Sequence, residues 1–359
     1  MNLAAPVAAA LILVVSQSSA QPNDVRAAGK AVLRSRANDS TSARLSETTL
    51  NAALTRFPAL VSRSDAVALH IQVLLDRAGF SPGIIDGAWG SNAARALSFF
   101  VTPYAPESRA GAAAAAMTTL DKPAYERLRI AAGPGAVMER YTVTDDDLRG
   151  PFVEVPDDVY GQAKLRCLCY SSAAEAIAER FHISPRLLAR LNPGTPLDQL
   201  SPGFALLVPN VDNETEASPS DTMIVARLIV SRTGFWTQAR DESGRIIFHF
   251  PSTLGGGFDP SPLGNFKVVS VSRSPAFRYQ PKLFSEVPDS EPEALLPPGP
   301  NSPVGSVWIG LSKRHYGIHG TSSPETIGYA TSHGCVRLTN WDALQLALLV
   351  ESGTPVEFR

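Results

Sequence analysis

The sequence predicts a multidomain α+β protein: a small helical unit, a two-helix unit closed by a strand, and a mainly β domain toward the C-terminus. Three observations carry this. The chain has 359 residues, and at roughly 150 residues per domain that makes two or three domains. Apolar residues recur at mainly helical spacing from Asp65 and again from Ser172. From Met223 the pattern changes to short apolar or alternating runs separated by turn residues, as strands require. Hydrophobic residues make up 44% and charged residues 18%, so ordinary cores can form and the disordered, collagen-like and disulfide-scaffold classes drop out. Thirty-two basic against thirty-four acidic side chains give a net charge of −2 with no long basic run, so no nucleic-acid partner is expected.

Ala4 to Val15 form an apolar run of twelve, too short for a bilayer, which needs about 20 residues. Ser18-Ser19-Ala20 follows as a small-residue cleavage pattern, so 1–20 reads as a secretory signal peptide, although no Lys or Arg precedes the apolar run. No Cys lies near the cleavage point, so a lipid anchor is not expected. The product is expected to be exported to the periplasm or cell wall, with no membrane span. Residues 21–60 are polar and read as a linker that can be partly helical.

The helical unit spans 61–103. Val67, Leu69, Ile71, Leu74 and Leu75 lead to Gly79 as a C-terminal stop. Ser81-Pro82-Gly83 is a turn, and Asp86-Gly87 with Trp89-Gly90 makes a tight loop. Ser91 is expected to cap a helix over 92–100. Residues 104–140, rich in Ala and Gly, read as a second linker. In the next unit, 141–212, Ser172 caps a helix carrying Ile177, Ala178 and Phe181. Ser184-Pro185 opens another with Leu187, Leu188 and Leu191, and Leu206 to Val208 close it as a strand. Cys167 and Cys169 stand just before; a ring that small is strained, so they are expected as small buried residues rather than a redox pair.

In 222–359 strands are expected over 224–230, 235–239, 246–250, 265–271 and 307–311. The Pro-, Glu- and Ser-rich stretch 285–304 is long enough to be either functional or mobile, and gating access to the site is the function it could serve. The chemistry concentrates in 318–343. Cys335 follows Gly334, with His333 two residues before it and His319 sixteen before it. A thiol attacks a carbonyl as thiolate, so it needs a base or a positive environment; either histidine could serve, with Arg337 adding field. Backbone N–H groups around Gly334 and Cys335 could stabilise an oxyanion. The duller alternative for Cys335 is a small buried hydrophobe. His315, His319, His333 and Cys335 could also ligate zinc, although no spacing matches a regular zinc motif. His315 reads as a surface residue, and His70, His182, His249 and Asp342 as structural. Trp308 either floors a groove or fills the core, and the core is favoured.

The run His319-Gly320-Thr321, a spacer, then Ser332-His333-Gly334-Cys335-Val336-Arg337-Leu338 resembles the L,D-transpeptidase catalytic domain, also called YkuD. Ser261 to Val268, Asn301 to Gly305 and Trp308-Ile309 fit the same family, so the resemblance covers 222–359. It implies a β-sandwich-like fold with a catalytic groove. It implies cleavage of the peptide bond after the third residue of a peptidoglycan stem, a Cys thioester, and resolution by an amine of another stem to give a 3→3 cross-link. By this resemblance Cys335 is the nucleophile and His319 its base and proton donor. His333, Ser332 and Gly334 support the site, Gly320 lends a carbonyl that orients the imidazole, and Arg337 holds the loop or a substrate carboxylate. No cofactor and no metal is implied; the partners are the glycan strands and stem peptides of peptidoglycan.

Gln72-Val73-Leu74, Ala78-Gly79-Phe80, Asp86-Gly87 and Trp89-Gly90 resemble the small helical peptidoglycan-binding domain. The segment from Ala174 to Pro209 resembles the LysM domain, a βααβ module that binds N-acetylglucosamine polymers, with its usual opening motif degraded here. Either unit could instead serve only as packing, and a non-catalytic wall-binding protein is the alternative reading of the whole chain. Cross-linking, lipoprotein attachment and hydrolysis share one acyl-enzyme and differ only in the acceptor.

Overall fold

The structure, a computed structural model, describes residues 45–104, 116–211, 225–257, 259–284 and 287–359. The signal-peptide expectation and most of the first linker lie outside them. Helix α1 (Glu47–Asn51) is capped by the Ser46 hydroxyl, which accepts the Thr49 N–H. It falls within the first expected linker, yet Leu45 and Leu50 are buried in the core. Strand β1 (Ala59–Leu60) pairs with β2 (Thr119–Leu120). Between them α2 (Asp65–Arg77) is capped by Ser64 and stops before Gly79, whose φ of +77° suits a residue without Cβ. Helix α3 (Ser91–Val101) starts from Gly90 as cap, so Ser91 is its first residue rather than its cap. The Asp86-Gly87 loop is built around buried Gln72, which accepts the Gly87 N–H at 2.9 Å and donates to Asp86 at 3.1 Å. Helix α4 (Lys122–Ala131) buries Tyr125 and Leu128, so the second expected linker also contributes to the core.

Strand β3 (Met138–Thr142), α5 (Val159–Gln162), α6 (Ala173–Arg180), α7 (Pro185–Leu191) and β4 (Ala205–Pro209) follow, with β3 and β4 antiparallel. Ser172 and Ser184 cap α6 and α7 through the Glu175 and Leu187 N–H groups. Cys167 and Cys169 form a disulfide, which corrects the expectation of two small buried residues. The segment is not a strand: Leu168 is fully buried, the cysteines beside it are half-buried, and their Cα atoms lie 5.2 Å apart, within ordinary disulfide range.

The C-terminal part carries β5 (Arg227–Ser231), β6 (Trp236–Arg240), β7 (Ile246–Pro251), β8 (Leu254–Gly255), β9 (Gly264–Arg273), β10 (Phe277–Tyr279), β11 (Ala294–Leu296), β12 (Val307–Leu311), β13 (Gly317–His319), β14 (Thr331–Ser332), β15 (Val336–Arg337), α8 (Asn340–Leu349) and β16 (Pro355–Phe358). Eight strands form one mixed sheet in the order β15-β13-β12-β9-β16-β5-β6-β7. In place of two packed sheets, this sheet curls so that strands from both ends share a core with α8: Phe250 and Ala239 with Ile318, Val336 and Leu346. Period-two alternation explains the rest. On β5, Leu228 and Val230 face that core, while Ile229 between them joins Trp236 and Ile246 in the core of the N-terminal helices. The helical unit therefore covers one face of the sheet, and all the described residues belong to one compact unit. Backbone bonds tie it there: Ser81 N–H to His249 O and His249 N–H to Gly79 O, both 2.9 Å.

The stretch that could gate the site is partly ordered by pairing of β10 with β11. Its far end is clamped by the disulfide loop. Leu168 donates to the Pro298 carbonyl and accepts the Asn301 N–H, each at 2.9 Å. Among the described residues no helix is long and apolar enough to cross a membrane.

Candidate active site

Strands β13 and β15 run parallel, with Ile318 opposite Val336 and His319 opposite Arg337. Cys335 immediately precedes β15. Its Sγ donates to the His315 carbonyl at 3.6 Å, and the Gly317 backbone also bonds to the sulfur. The thiol thus sits against the turn that leads into the strand carrying His319. His315 makes that turn with φ +65°, its side chain exposed.

The imidazole of His319 is 4% exposed and lies flat against Trp308, its cross-strand partner on β12, at 5.3 Å and 15°. Nδ1 is 2.7 Å from the Gly320 carbonyl. A carbonyl only accepts, so Nδ1 carries the proton and Nε2 is the basic nitrogen. Burial takes His319 down to about 3, the Arg337 charge adds to this, and the Gly320 bond opposes it. Burial pushes the Cys335 thiol up, against the Gly317 bond and the Arg337 charge. Burial also works against the charge of Arg337 itself. The resting pair is therefore a neutral thiol and a neutral imidazole.

The turn before Cys335 is pinned from three sides. Ser332 donates to the Cys335 carbonyl at 2.5 Å. Ser261 donates to the Gly334 carbonyl and accepts the Gly255 N–H, both at 2.8 Å. Thr253 and Arg337 exchange two backbone bonds of 2.9 Å. Gly334 has φ +102°, and a Cβ there would stand 2.9 Å from the Tyr316 ring.

Of the residues singled out from sequence, Cys335, His319, Gly320, Arg337, Ser332 and Gly334 come together on β13, β15 and the turn between β14 and β15. The ring of His333 stands edge-on to Phe284 at 4.9 Å, against the long excursion. The sequence reading missed Trp308 as a wall of the imidazole, the His315 carbonyl, and Tyr316. Ser261 belonged to a quoted motif without a role. Among the described residues, no group of three or more His, Cys, Asp or Glu side chains converges as a metal site.

A family profile for the L,D-transpeptidase catalytic domain, YkuD, matches residues 226–358. The putative L,D-transpeptidase YkuD of Bacillus licheniformis is 34% identical over 182 residues, covering 51% of this chain and 90% of the relative. That of Bacillus subtilis is 30% identical over 181 residues, covering 50% and 90%. Among solved structures, L,D-transpeptidase 3 from Mycobacterium tuberculosis in complex with a faropenem-derived adduct aligns at 17% identity with a TM-score of 0.32, covering 45% of this chain and 75% of that one.

Proposed function

We infer that this chain, which belongs to the L,D-transpeptidase family, is a cysteine acyltransferase that cross-links peptidoglycan. In the reading we favour, Cys335 is the nucleophile and His319 the base. The observation that carries it is the 2.7 Å bond from His319 Nδ1 to the Gly320 carbonyl, on the strand beside the Cys335 turn, which leaves Nε2 as acceptor. Nε2 takes the thiol proton as Sγ attacks the carbonyl carbon of the third stem residue, so a C–S bond forms and the carbonyl oxygen becomes an oxyanion. Backbone N–H groups of the Gly334–Cys335 turn supply donors for that charge, and Arg337 adds field. Collapse breaks the C–N bond, and His319 returns the proton to the departing amine. The thioester is then attacked by an amine of a second stem; His319 accepts that proton and passes it to the sulfur as the 3→3 bond forms. The Gly320 carbonyl stabilises the transient imidazolium throughout. Ser332 and Ser261 hold the turn, and His333 lines the approach beside Phe284.

The apolar run with Ser18-Ser19-Ala20 supports export to the periplasm or cell wall. The motif residues around Gln72 and Asp86, and the helix pair α6–α7 with Ser172 and Ser184 as caps followed by β4, support wall binding by the N-terminal units. Incubation with disaccharide-tetrapeptide tests the activity: wild type yields a 3→3 dimer, and Cys335→Ala yields none. A folded Cys335→Ala protein that still cross-links would overturn the reading. Sedimentation of that same variant with sacculi tests wall binding, and failure to co-sediment would count against it.

A further inference from the structure

The peptide group joining Gly320 to Thr321 is gripped on both edges. Its carbonyl accepts the His319 Nδ1–H at 2.7 Å, and its N–H donates to Asn340 Oδ1 at 3.1 Å. Asn340 opens α8 and is 1% exposed. Its Oδ1 also accepts the Ser306 N–H at 3.0 Å. Its Nδ2 donates to the Pro300 carbonyl at 3.0 Å and to Glu179 Oε1 at 2.9 Å. Four bonds saturate this amide, and its orientation is forced, because two backbone donors meet the oxygen and the Pro300 carbonyl, which only accepts, meets the nitrogen. The fit is close enough that a Cβ on Gly320 or Gly305 would lie 2.1 or 2.0 Å from Oδ1. Glu179 comes from α6, outside the catalytic segment, and its Oε1 also accepts the Tyr170 hydroxyl at 2.9 Å.

We propose that Asn340 is a positioning residue for the acyl transfer: by holding the Thr321 N–H it fixes the plane of the Gly320–Thr321 peptide and so keeps His319 in its Nδ1–H tautomer, and Glu179 of α6 fixes Asn340 in turn. This rests on His319 acting as the base. The wrong tautomer would present an N–H to the thiol, which cannot take its proton. A peptide plane free to rotate would let both tautomers form. The N-terminal unit thereby enters the acyl-transfer chemistry through one carboxylate, beyond any part it has in wall binding.

The test is nitrogen NMR of ¹⁵N-histidine-labelled full-length protein, with kcat and KM on disaccharide-tetrapeptide. In wild type the His319 Nδ1 shift is that of a protonated nitrogen and Nε2 that of a bare one; the reverse assignment overturns the proposal without any variant. In Asn340→Ala the two shifts converge as tautomers mix, and kcat falls by about tenfold or more while KM changes by less than about twofold. Should Asn340→Ala fail to fold, Glu179→Leu carries the same expectation, and Glu179→Gln, which keeps an acceptor oxygen, restores the Nδ1–H signature. A folded Asn340→Ala or Glu179→Leu protein with wild-type ring shifts overturns the proposal. Acyl transfer retained by His319→Gln would instead sink the base assignment and leave the tautomer result standing.

Discussion

The neutral state of the half-buried thiol and the buried imidazole has a measurable consequence. An ion pair formed in the free enzyme would require the thiol, held above its ordinary value of 9.0, to protonate an imidazole held at about 3. Before the attraction between the two charges is counted, that gap of at least about 6 pH units corresponds to about 8 kcal/mol, so the neutral pair predominates at rest. The cost fits within a turnover near 1 s⁻¹, whose barrier is about 17 kcal/mol, because the remainder is left for carbon–sulfur bond formation. The perturbation is pH, and the assay is alkylation of Cys335 by uncharged iodoacetamide from pH 5 to 10, followed by peptide mapping. The rate should rise through a single step above pH 9, with no plateau at lower pH. A fast plateau between pH 5 and 8, lost in His319→Ala, would show a preformed ion pair and refute the reasoning.

Further expectations concern the surroundings. Asp342 is raised to about 7 by burial and by Asp76, so the fold binds its proton more tightly than the unfolded chain does. Its contribution is complete below about pH 4 and is lost as pH rises through 7; the stability of Asp342→Asn relative to wild type should therefore improve by up to about 4 kcal/mol between pH 4 and 8 in urea titrations, and a flat difference would contradict this. Gly334→Ala forces a side chain into left-handed backbone against Tyr316, which should cost about 1–3 kcal/mol in thermal denaturation and lower kcat, and an unchanged kcat would count against the turn's role. Trp308→Ala removes the flat wall of His319 and should lower kcat by about tenfold with the melting temperature little changed. Cys167→Ser with Cys169→Ser frees the Leu168 clamp, so trypsin should cut within 278–293 faster than in wild type; equal rates would show that the clamp holds without the disulfide.

Much of this was legible where the signal is local. Ser172 and Ser184 announce their helices because a hydroxyl that accepts an N–H three residues on is a sequence-level device. Gly79 announces its stop, and β5 to β7 follow from apolar runs broken by turns. The proposed pairing of Cys335 with His319 rests on a motif alone, since sixteen residues of spacer separate strands that meet in parallel. Helix α8 was missed because apolar and buried polar residues, Trp341 and Asp342 among them, occupy several of its sides and blur the period. Trp308 was read as core because its contact with His319 depends on cross-strand register, which no local pattern prints. The disulfide was missed because so small a ring was taken as too strained to close, whereas the two Cα atoms lie 5.2 Å apart. Asn340 was invisible for a related reason: its four partners come from segments far apart in sequence.

The central claim is that one sulfur accepts the acyl group. Intact-protein mass spectrometry during turnover of disaccharide-tetrapeptide measures this directly. A transient mass increase equal to the disaccharide-tripeptide acyl group, mapping to Cys335, is expected in wild type and absent in Cys335→Ala. An adduct on another residue, or product formation by the alanine variant, would contradict it.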